Sequence, residues 1–286
     1  MLEQNAGWAM RFLLTLVLLL LGHPAVAVEL SGSAIQGGLI FGKAVAGSQV
    51  RLDGTAVAVS GDGRFVIGFG RDETGTRALE VTSPGGEVFH QNLSVSAQEY
   101  AIERVDGLPP ATVTPGPEAA IRIREDAQMV ASARLHRDTR AYYAKGFSWP
   151  AKGRISGVYG SQRILNGEPR RPHYGLDIAA PEGTPVHAPA DGLITLTHPD
   201  MYYSGGTIIL DHGQGLSSTF LHLSEILVEA GAFVRQGDLI ARIGATGRAS
   251  GPHLDWRMNW LDKRVDPQPL LPPAETSQSS GAHRQP

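Results

Sequence analysis

Histidine and acidic residues recur at short, even spacings in the second half of the chain. His173 and Asp177 stand four residues apart in HYGLD, and His253 and Asp255 stand two apart in HLDW. Side chains an even number of residues apart on an extended strand share one face, and Gly175 disfavours a helix at the first motif. An imidazole and a carboxylate on one face can hold a metal ion. Each pair taken alone could equally be a hydrogen-bonded turn or a solvated face.

The composition excludes several kinds of functional site. The chain of 286 residues contains no cysteine, so disulfides, thiolate ligands and a cysteine nucleophile are excluded, and His, Asp and Glu remain as metal ligands. A net charge of −3 gives no reason to expect nucleic acid as a partner. The 42% hydrophobic content is that of a globular protein, and the length suits about two domains.

Three motifs in order carry a family resemblance: HYGLD, then FLHLS, which contains His222, then GATGRASGPHLDW. Over residues 148–270 the chain resembles the lysostaphin/LytM-type zinc metalloendopeptidases of bacterial cell walls. The resemblance implies Zn²⁺ as cofactor, with His173 and Asp177 as ligands. It also implies that His253 is the general base and His222 an assisting histidine. The alternative for both of these histidines is a structural role, in the core or in a domain that only binds.

Asp255 departs from the family pattern, because it occupies the position of the third ligand, which is usually a histidine. Zinc accepts carboxylate oxygen as well as imidazole nitrogen, so His173, Asp177 and Asp255 would give three ligands and leave one position open. Two carboxylates neutralise Zn²⁺ and acidify its water less, so we expect a weaker or more alkaline-shifted enzyme. The oxygen-rich set also suits manganese. Alternatively, Asp255 accepts a hydrogen bond from His253 or Arg257 in a defunct site.

The implied reaction is metal-assisted amide hydrolysis. Zn²⁺ would polarise the scissile carbonyl and lower the pKa of a water molecule. His253 would take the proton of that water, and His222 would donate a hydrogen bond to the oxyanion or hold the water.

For other polar residues of this region, the sequence gives weaker evidence of a function. Three further histidines match no functional position of the family and are expected to be structural or at the surface: His187, His198 and His212. Three arginines could meet the carboxylates of peptidoglycan stem peptides, although a solvated loop explains them as well: Arg163, Arg170 and Arg171.

The elements that must position these residues are mainly strands. Short alternating apolar runs between turn signals predict an amino-terminal β-sandwich accessory domain over residues 28–106. A proline-rich linker and a connecting helix follow over 107–146, with the helix expected over 118–143 and ending near Gly146. Residues 147–272 read as an antiparallel β-sheet peptidase domain, and residues 273–286 as a disordered tail.

The chain begins like an export signal. Arg11 precedes an apolar run at 12–21, and the small residues at 25–27 resemble a cleavage site. We expect a signal peptide over 1–27, a mature chain that starts at Val28, and a periplasmic or secreted protein without a transmembrane span. The alternative is an uncleaved membrane anchor.

Two functions of different classes follow. The first is an exported zinc endopeptidase that cleaves peptide cross-links of peptidoglycan. The second is a non-catalytic module of the same type that binds cell-wall amidases and activates them. An endopeptidase that acts on proteins or on foreign cell walls is a third possibility that the sequence does not separate from the first.

Overall fold

Strands form most of the regular structure in residues 27–105 and 116–273, the part of the chain that this computed structural model describes. The segments 1–26, 106–115 and 274–286 lie outside the described residues. They hold nearly all of the expected signal peptide, most of the proline-rich linker and nearly all of the expected tail, so these three interpretations stay predictions. Within 27–105 and 116–273, no helix has the length and apolar character that crossing a bilayer requires.

The amino-terminal strands form two antiparallel sheets, with the orders β1-β2-β5 and β4-β3-β6-β7. Their bounds are β1 Glu29–Gly32, β2 Leu39–Lys43, β3 Gln49–Leu52, β4 Thr55–Val57, β5 Arg64–Gly68, β6 Gly75–Thr82 and β7 Val88–Val95. Alternate residues such as Val50 and Leu52, opposite Val81 and Leu79, are buried, as a half-buried strand requires. The two sheets contribute to one hydrophobic cluster, and the mainly-β fold class is confirmed.

The single α-helix of the described residues, α1 (Pro117–Ala133), is shorter than expected. It ends at Ala133 and not near Gly146, because the backbone beyond it bonds to a distant turn. Gln214 N–H donates to the Asp138 carbonyl (2.6 Å), and Tyr142 N–H donates to the His212 carbonyl (3.0 Å). These tertiary bonds override the helix propensity of the segment. A 3₁₀ helix, Tyr142–Lys145, follows.

The second half of the chain folds around a ten-stranded antiparallel sheet. Its main path runs β17-β14-β15-β16-β19-β12-β9, with β13, β18 and β20 attached at its sides. The bounds are β9 Arg154–Gly157, β12 Leu176–Ala179, β13 Pro185–His187, β14 Gly192–Met201, β15 Gly205–Asp211, β16 Leu216–Ile226, β17 Phe233–Val234, β18 Leu239–Ile243, β19 His253–Trp260 and β20 Lys263–Val265, before a 3₁₀ helix, Gln268–Leu270.

Strands from the two halves of the chain contact each other across the domain boundary that the sequence predicts. Strand β8 (Ile102–Val105) pairs in parallel with β10 (Gln162–Leu165), which pairs with β11 (Glu168–Pro169). At another contact, a Cβ on Gly68 would lie 2.7 Å from Trp260 Cβ, so glycine permits the close approach of β5 to β19. The β domain is thus packed against the sheet that carries the candidate site.

His212 is a buried histidine directly after β15, and its contacts specify the neutral ring. Its Nδ1–H donates to the Asp191 carbonyl (2.8 Å), and its Nε2 accepts from the Ser218 hydroxyl (2.8 Å). Burial lowers its pKa to about 4. The expectation of a structural role for His212 agrees with these contacts.

We expect His212 to make stability depend on pH. Because its pKa is lower in the folded than in the unfolded state, its contribution is complete above about pH 6.5 and falls as the pH approaches 4, by about 3 kcal/mol in total. The His212→Gln variant should be less stable at pH 7.5 and should lose less stability on acidification than the wild type, as measured by urea unfolding at pH 7.5 and 4.5. His90→Gln, on an exposed ring, is the control, and an unchanged pH dependence in His212→Gln would contradict the argument.

Candidate metal centre

Two neighbouring strands place two carboxylates directly opposite each other. In the antiparallel pair of β12 and β19, Asp177 is the register partner of Asp255, so both side chains lie on one face of the sheet. Both residues are buried. Glycines leave room for them: a Cβ on Gly157 would lie 2.5 Å from Asp177 Oδ2, and one on Gly175 would lie 2.3 Å from Asp255 Oδ1.

His173 completes a cluster of three potential ligands. One ligand atom from each of His173, Asp177 and Asp255 lies within 4.8 Å of the others. His173 Nε2 is 3.0 Å from Asp177 Oδ1 and 3.7 Å from the nearest oxygen of Asp255. Ligands held about 2.1 Å from a tetrahedral zinc ion stand roughly 3.4 Å apart, between these two distances.

Two atoms of this cluster are buried polar groups without a hydrogen bond. His173 Nε2 and Asp177 Oδ1 have no hydrogen-bond partner among the described residues, although they approach each other closely. Such groups are costly unless something satisfies them. A cation between them would satisfy both, and a donor set of imidazole nitrogen and carboxylate oxygen suits zinc. The residues therefore fit the metal that the family resemblance implies.

The protonation of His173 supports the same conclusion. Its Nδ1 is 3.1 Å from the Val158 carbonyl, which can only accept, so Nδ1 carries the proton of the neutral ring and the Nε2 lone pair faces the carboxylates. Burial opposes a second proton, but Asp177 and Asp255 outweigh it and raise the pKa of His173 to about 9. The cluster thus attracts a positive charge, either a proton or a metal ion.

His222 reaches the site through an irregularity of strand β16. Leu223 pairs with Gly206 and Phe220 pairs with Ile208, so two residues of β16 stand opposite one residue of β15, which is a β-bulge. His222 lies in this bulge with φ at +63°, a left-handed conformation that is rare for a residue with a side chain. In a regular strand it would point to the same face as Phe220, into the core.

His222 and His253 lie beside each other next to the cluster. Their ring centroids are 4.7 Å apart, and His253 shares its strand face with Asp255. Nδ1 of His222 is 2.7 Å from the Thr246 carbonyl, and Nδ1 of His253 is 2.8 Å from the Gly251 carbonyl. Each neutral ring therefore has its Nε2 lone pair free, and burial lowers the pKa of His222, which keeps that ring neutral.

Arg257 changes the charge balance that the sequence suggests. Its Nε donates to Asp255 Oδ1 (2.9 Å), and its Nη2 donates to Asp255 Oδ2 (2.5 Å). Burial alone would raise the pKa of Asp255, but Arg257 and His173 hold it well below its usual range. The Asp255–Arg257 pair is neutral as a unit, as a histidine ligand would be. The pair therefore adds no net charge to the cluster, and the expected alkaline shift loses its electrostatic basis.

The remaining predicted residues have different surroundings. Arg163 lies at the site, with Nη2 3.5 Å from Asp177 Oδ2 and Nε 3.2 Å from Glu103 Oε2, so its charge is already paired. Arg170 and Arg171 are exposed, as a solvated loop would have them. His187 bonds the Gly237 carbonyl.

Other groups also contribute to the site, and most of them could not be predicted from the sequence. No pattern in the sequence indicates the opening at Gly157 or the roles of the Val158, Thr246 and Gly251 carbonyls, because each of these matters only through a three-dimensional contact. For Gly175, its position inside HYGLD was an available signal.

Comparison with known proteins identifies the class of this domain. The model of the family described as Peptidase family M23 matches residues 171–267. Peptidoglycan DD-endopeptidase ShyA of Vibrio cholerae is 37% identical over 139 residues, which are 44% of this chain and 32% of ShyA. DD-carboxypeptidase/endopeptidase Mpg of Neisseria meningitidis is 39% identical over 113 residues, which are 39% of this chain and 26% of Mpg.

A solved structure extends the likeness to the amino-terminal half. The crystal structure of a proposed peptidase M23 from Pseudomonas aeruginosa has a TM-score of 0.62 and 29% identity, and the match covers 82% of this chain and 93% of that chain. The match to the M23 peptidase family lies in the carboxy-terminal domain, over residues 171–267, and confirms the LytM-type resemblance of that domain. The chain spans a third or less of ShyA and Mpg (32% and 26%).

We expect Asp255 and Arg257 to be strongly coupled in stability. Removing one partner leaves the other charge buried, which costs about 3–5 kcal/mol in fully buried pairs. A cycle of wild type, Asp255→Asn, Arg257→Gln and the double variant, measured by urea unfolding, should give a coupling free energy above about 1 kcal/mol.

The matched control is the exposed pair of Glu225 and Arg242, whose charged atoms are 3.0 Å apart. The same cycle there should give a coupling below about 1 kcal/mol. Equal coupling at the two pairs would refute the buried charge pair at Asp255.

Proposed function

We propose that the chain is an exported, zinc-dependent endopeptidase that hydrolyses peptide cross-links of bacterial peptidoglycan. The observation that carries this proposal is the convergence of His173, Asp177 and Asp255, with two buried ligand atoms that lack a hydrogen bond among the described residues. Beside them lie two histidines whose Nδ1 atoms bond backbone carbonyls, so that Nε2 of each neutral ring can accept a hydrogen bond. In this proposal the three cluster residues hold the metal, and His222 and His253 stay outside the ligand set.

The bound metal would supply Lewis acidity, polarising the scissile carbonyl and lowering the pKa of a water molecule. His253 acts as the general base: its Nε2 accepts the proton of the attacking water and returns it to the leaving amine. The Gly251 carbonyl, bonded to Nδ1–H, keeps the ring in the tautomer that this role requires and stabilises the imidazolium that forms.

His222 has two possible assisting roles, and its environment favours one. A neutral ring with Nδ1–H bonded to the Thr246 carbonyl offers an acceptor at Nε2 and no second donor. Donation to an oxyanion would need the imidazolium, which burial disfavours. His222 therefore orients the attacking water by accepting a hydrogen bond from it.

The substrate class rests on the relatives. ShyA is named a peptidoglycan DD-endopeptidase, and Mpg a DD-carboxypeptidase/endopeptidase. The family model that matches this chain covers residues 171–267, which include the cluster. We therefore propose stem peptides of peptidoglycan as the substrate, in preference to proteins.

A second function is supported by one observation, the bidentate bond from Arg257 to Asp255. If Arg257 saturates this carboxylate, two ligands remain and the domain serves as a non-catalytic module that binds and activates cell-wall amidases. Against this, an ionised carboxylate has about four acceptor positions, so Arg257 leaves room for a cation.

Metal content and turnover of single variants test these roles. The purified wild type should bind about one equivalent of zinc and release muropeptides from isolated sacculi. Asp177→Asn should lose both zinc and turnover. His253→Gln should keep the zinc and lower turnover by at least about 100-fold, the usual contribution of a general base. Zinc is measured by elemental analysis, and products by chromatography of the digest.

The outcomes separate the proposed functions. A wild type without zinc that stimulates an amidase would support the binding module. Loss of zinc in His253→Gln would show that His253 is a ligand and that the assigned roles are wrong.

Export is tested at the amino terminus of the mature protein. Protein recovered from the periplasm or the medium should begin at Val28, because the small residues at 25–27 precede that position. Amino-terminal sequencing that finds Met1 would instead support an uncleaved anchor.

A further inference from the structure

A four-residue loop holds the backbone and the ring of His173. The loop, residues 158–161, connects β9 to β10. Gly160 N–H donates to the His173 carbonyl (2.7 Å), His173 N–H donates to the Ser161 carbonyl (2.9 Å), and His173 Nδ1–H donates to the Val158 carbonyl (3.1 Å). The direction in which Nε2 points therefore depends on this loop.

The loop is in turn held by the amino-terminal β domain. Arg71 Nε donates to the Gly160 carbonyl (2.8 Å), and its guanidinium lies 4.3 Å above the ring of Tyr100. The Arg71 side chain is 13% exposed, so this bond is protected from water. Gly160 has φ at +85°, and a Cβ there would lie 2.0 Å from Tyr100 ring atoms, so glycine is required for this contact.

Two residues close to Gly160 in the chain also contact the β domain. The ring of Tyr159 is buried and lies 6.2 Å from that of Tyr100. Gln162 N–H donates to the Ala101 carbonyl (2.8 Å), where β8 and β10 begin to pair. The loop is therefore also held by the stretch that contains Tyr100 and Ala101.

We infer that Arg71 is a positioning residue, through which the β domain orients His173 for metal binding. The chain of contacts runs from Arg71 to the Gly160 carbonyl, and from the loop to His173. The expected effect of Arg71 on metal affinity rests on the proposed function, whereas its expected effect on the rigidity of the loop does not. Outer partners that orient a metal ligand contribute about 10- to 100-fold to metal affinity.

Removing the guanidinium frees one side of the loop. The Gly160 carbonyl loses its charged donor, and a glycine with positive φ does not by itself hold the loop in one conformation. The two backbone bonds to His173 then open more often, which hydrogen exchange measures directly. The Val158 carbonyl moves with the loop, so the ring loses its fixed direction.

The test compares Arg71→Ala, Arg71→Lys and Lys263→Gln in the full mature chain. Arg71→Lys keeps a cationic donor near the Gly160 carbonyl. Lys263→Gln is the matched control, because Lys263 also joins the two halves, through Glu73 (2.9 Å), without contacting the loop. The two readouts are exchange protection of the Gly160 and His173 amides in metal-free protein, and the dissociation constant for zinc by competition with a chelator.

In Arg71→Ala, protection of these two amides should fall at least about tenfold, while protection in the core strands is retained, and zinc should bind about tenfold more weakly. Arg71→Lys should restore part of the amide protection and part of the zinc affinity, and Lys263→Gln should change neither. Unchanged protection at Gly160 and His173, or an equal loss across the whole chain, would overturn the inference. If wild type binds no zinc, the proposed function fails, and the exchange data alone decide the role of Arg71.

Discussion

Two carboxylates, Asp177 and Asp255, face each other in the interior across the β12–β19 pair, and the structure depends on how their charge is compensated. Like charges at such short range in a poorly solvated place repel each other strongly unless cations accompany them. Arg163 approaches Asp177, Arg257 binds Asp255, and His173 lies between both. A bound metal ion would complete this compensation at His173 Nε2 and Asp177 Oδ1, which have no hydrogen-bond partner in the part of the chain that the structure describes.

The compensation also explains how an aspartate can stand at the position where the family resemblance leads one to expect a histidine ligand. A carboxylate alone would add a negative charge to the ligand set. Held by Arg257 it adds none, while one oxygen lone pair stays available to a metal. The departure from the family pattern is thus a change of chemical group at constant charge, provided that Asp255 and Arg257 are considered together.

Backbone carbonyls give the three histidines one common arrangement. Val158, Thr246 and Gly251 each accept from an Nδ1–H, so in the neutral form of each ring the lone pair is on Nε2 and faces the site. These carbonyls lie on loops, and loops keep a precise geometry only when a rigid scaffold holds them. Packing of the β domain against the loop that bears Val158 supplies such a scaffold, which gives that domain a role at the site.

The sequence by itself determined the mainly-β class, because turn residues and alternating apolar residues act over a few positions. The order of its motifs indicated the family resemblance and, through it, the residues expected to converge. The shared face of His253 and Asp255 follows from strand geometry alone. Only the tertiary structure decided the register that sets Asp177 opposite Asp255, the bulge that turns His222 out of the core, and the end of α1 at Ala133. Each of these depends on hydrogen bonds between segments far apart in the chain, and local spacing carries no information about which distant segments will pair.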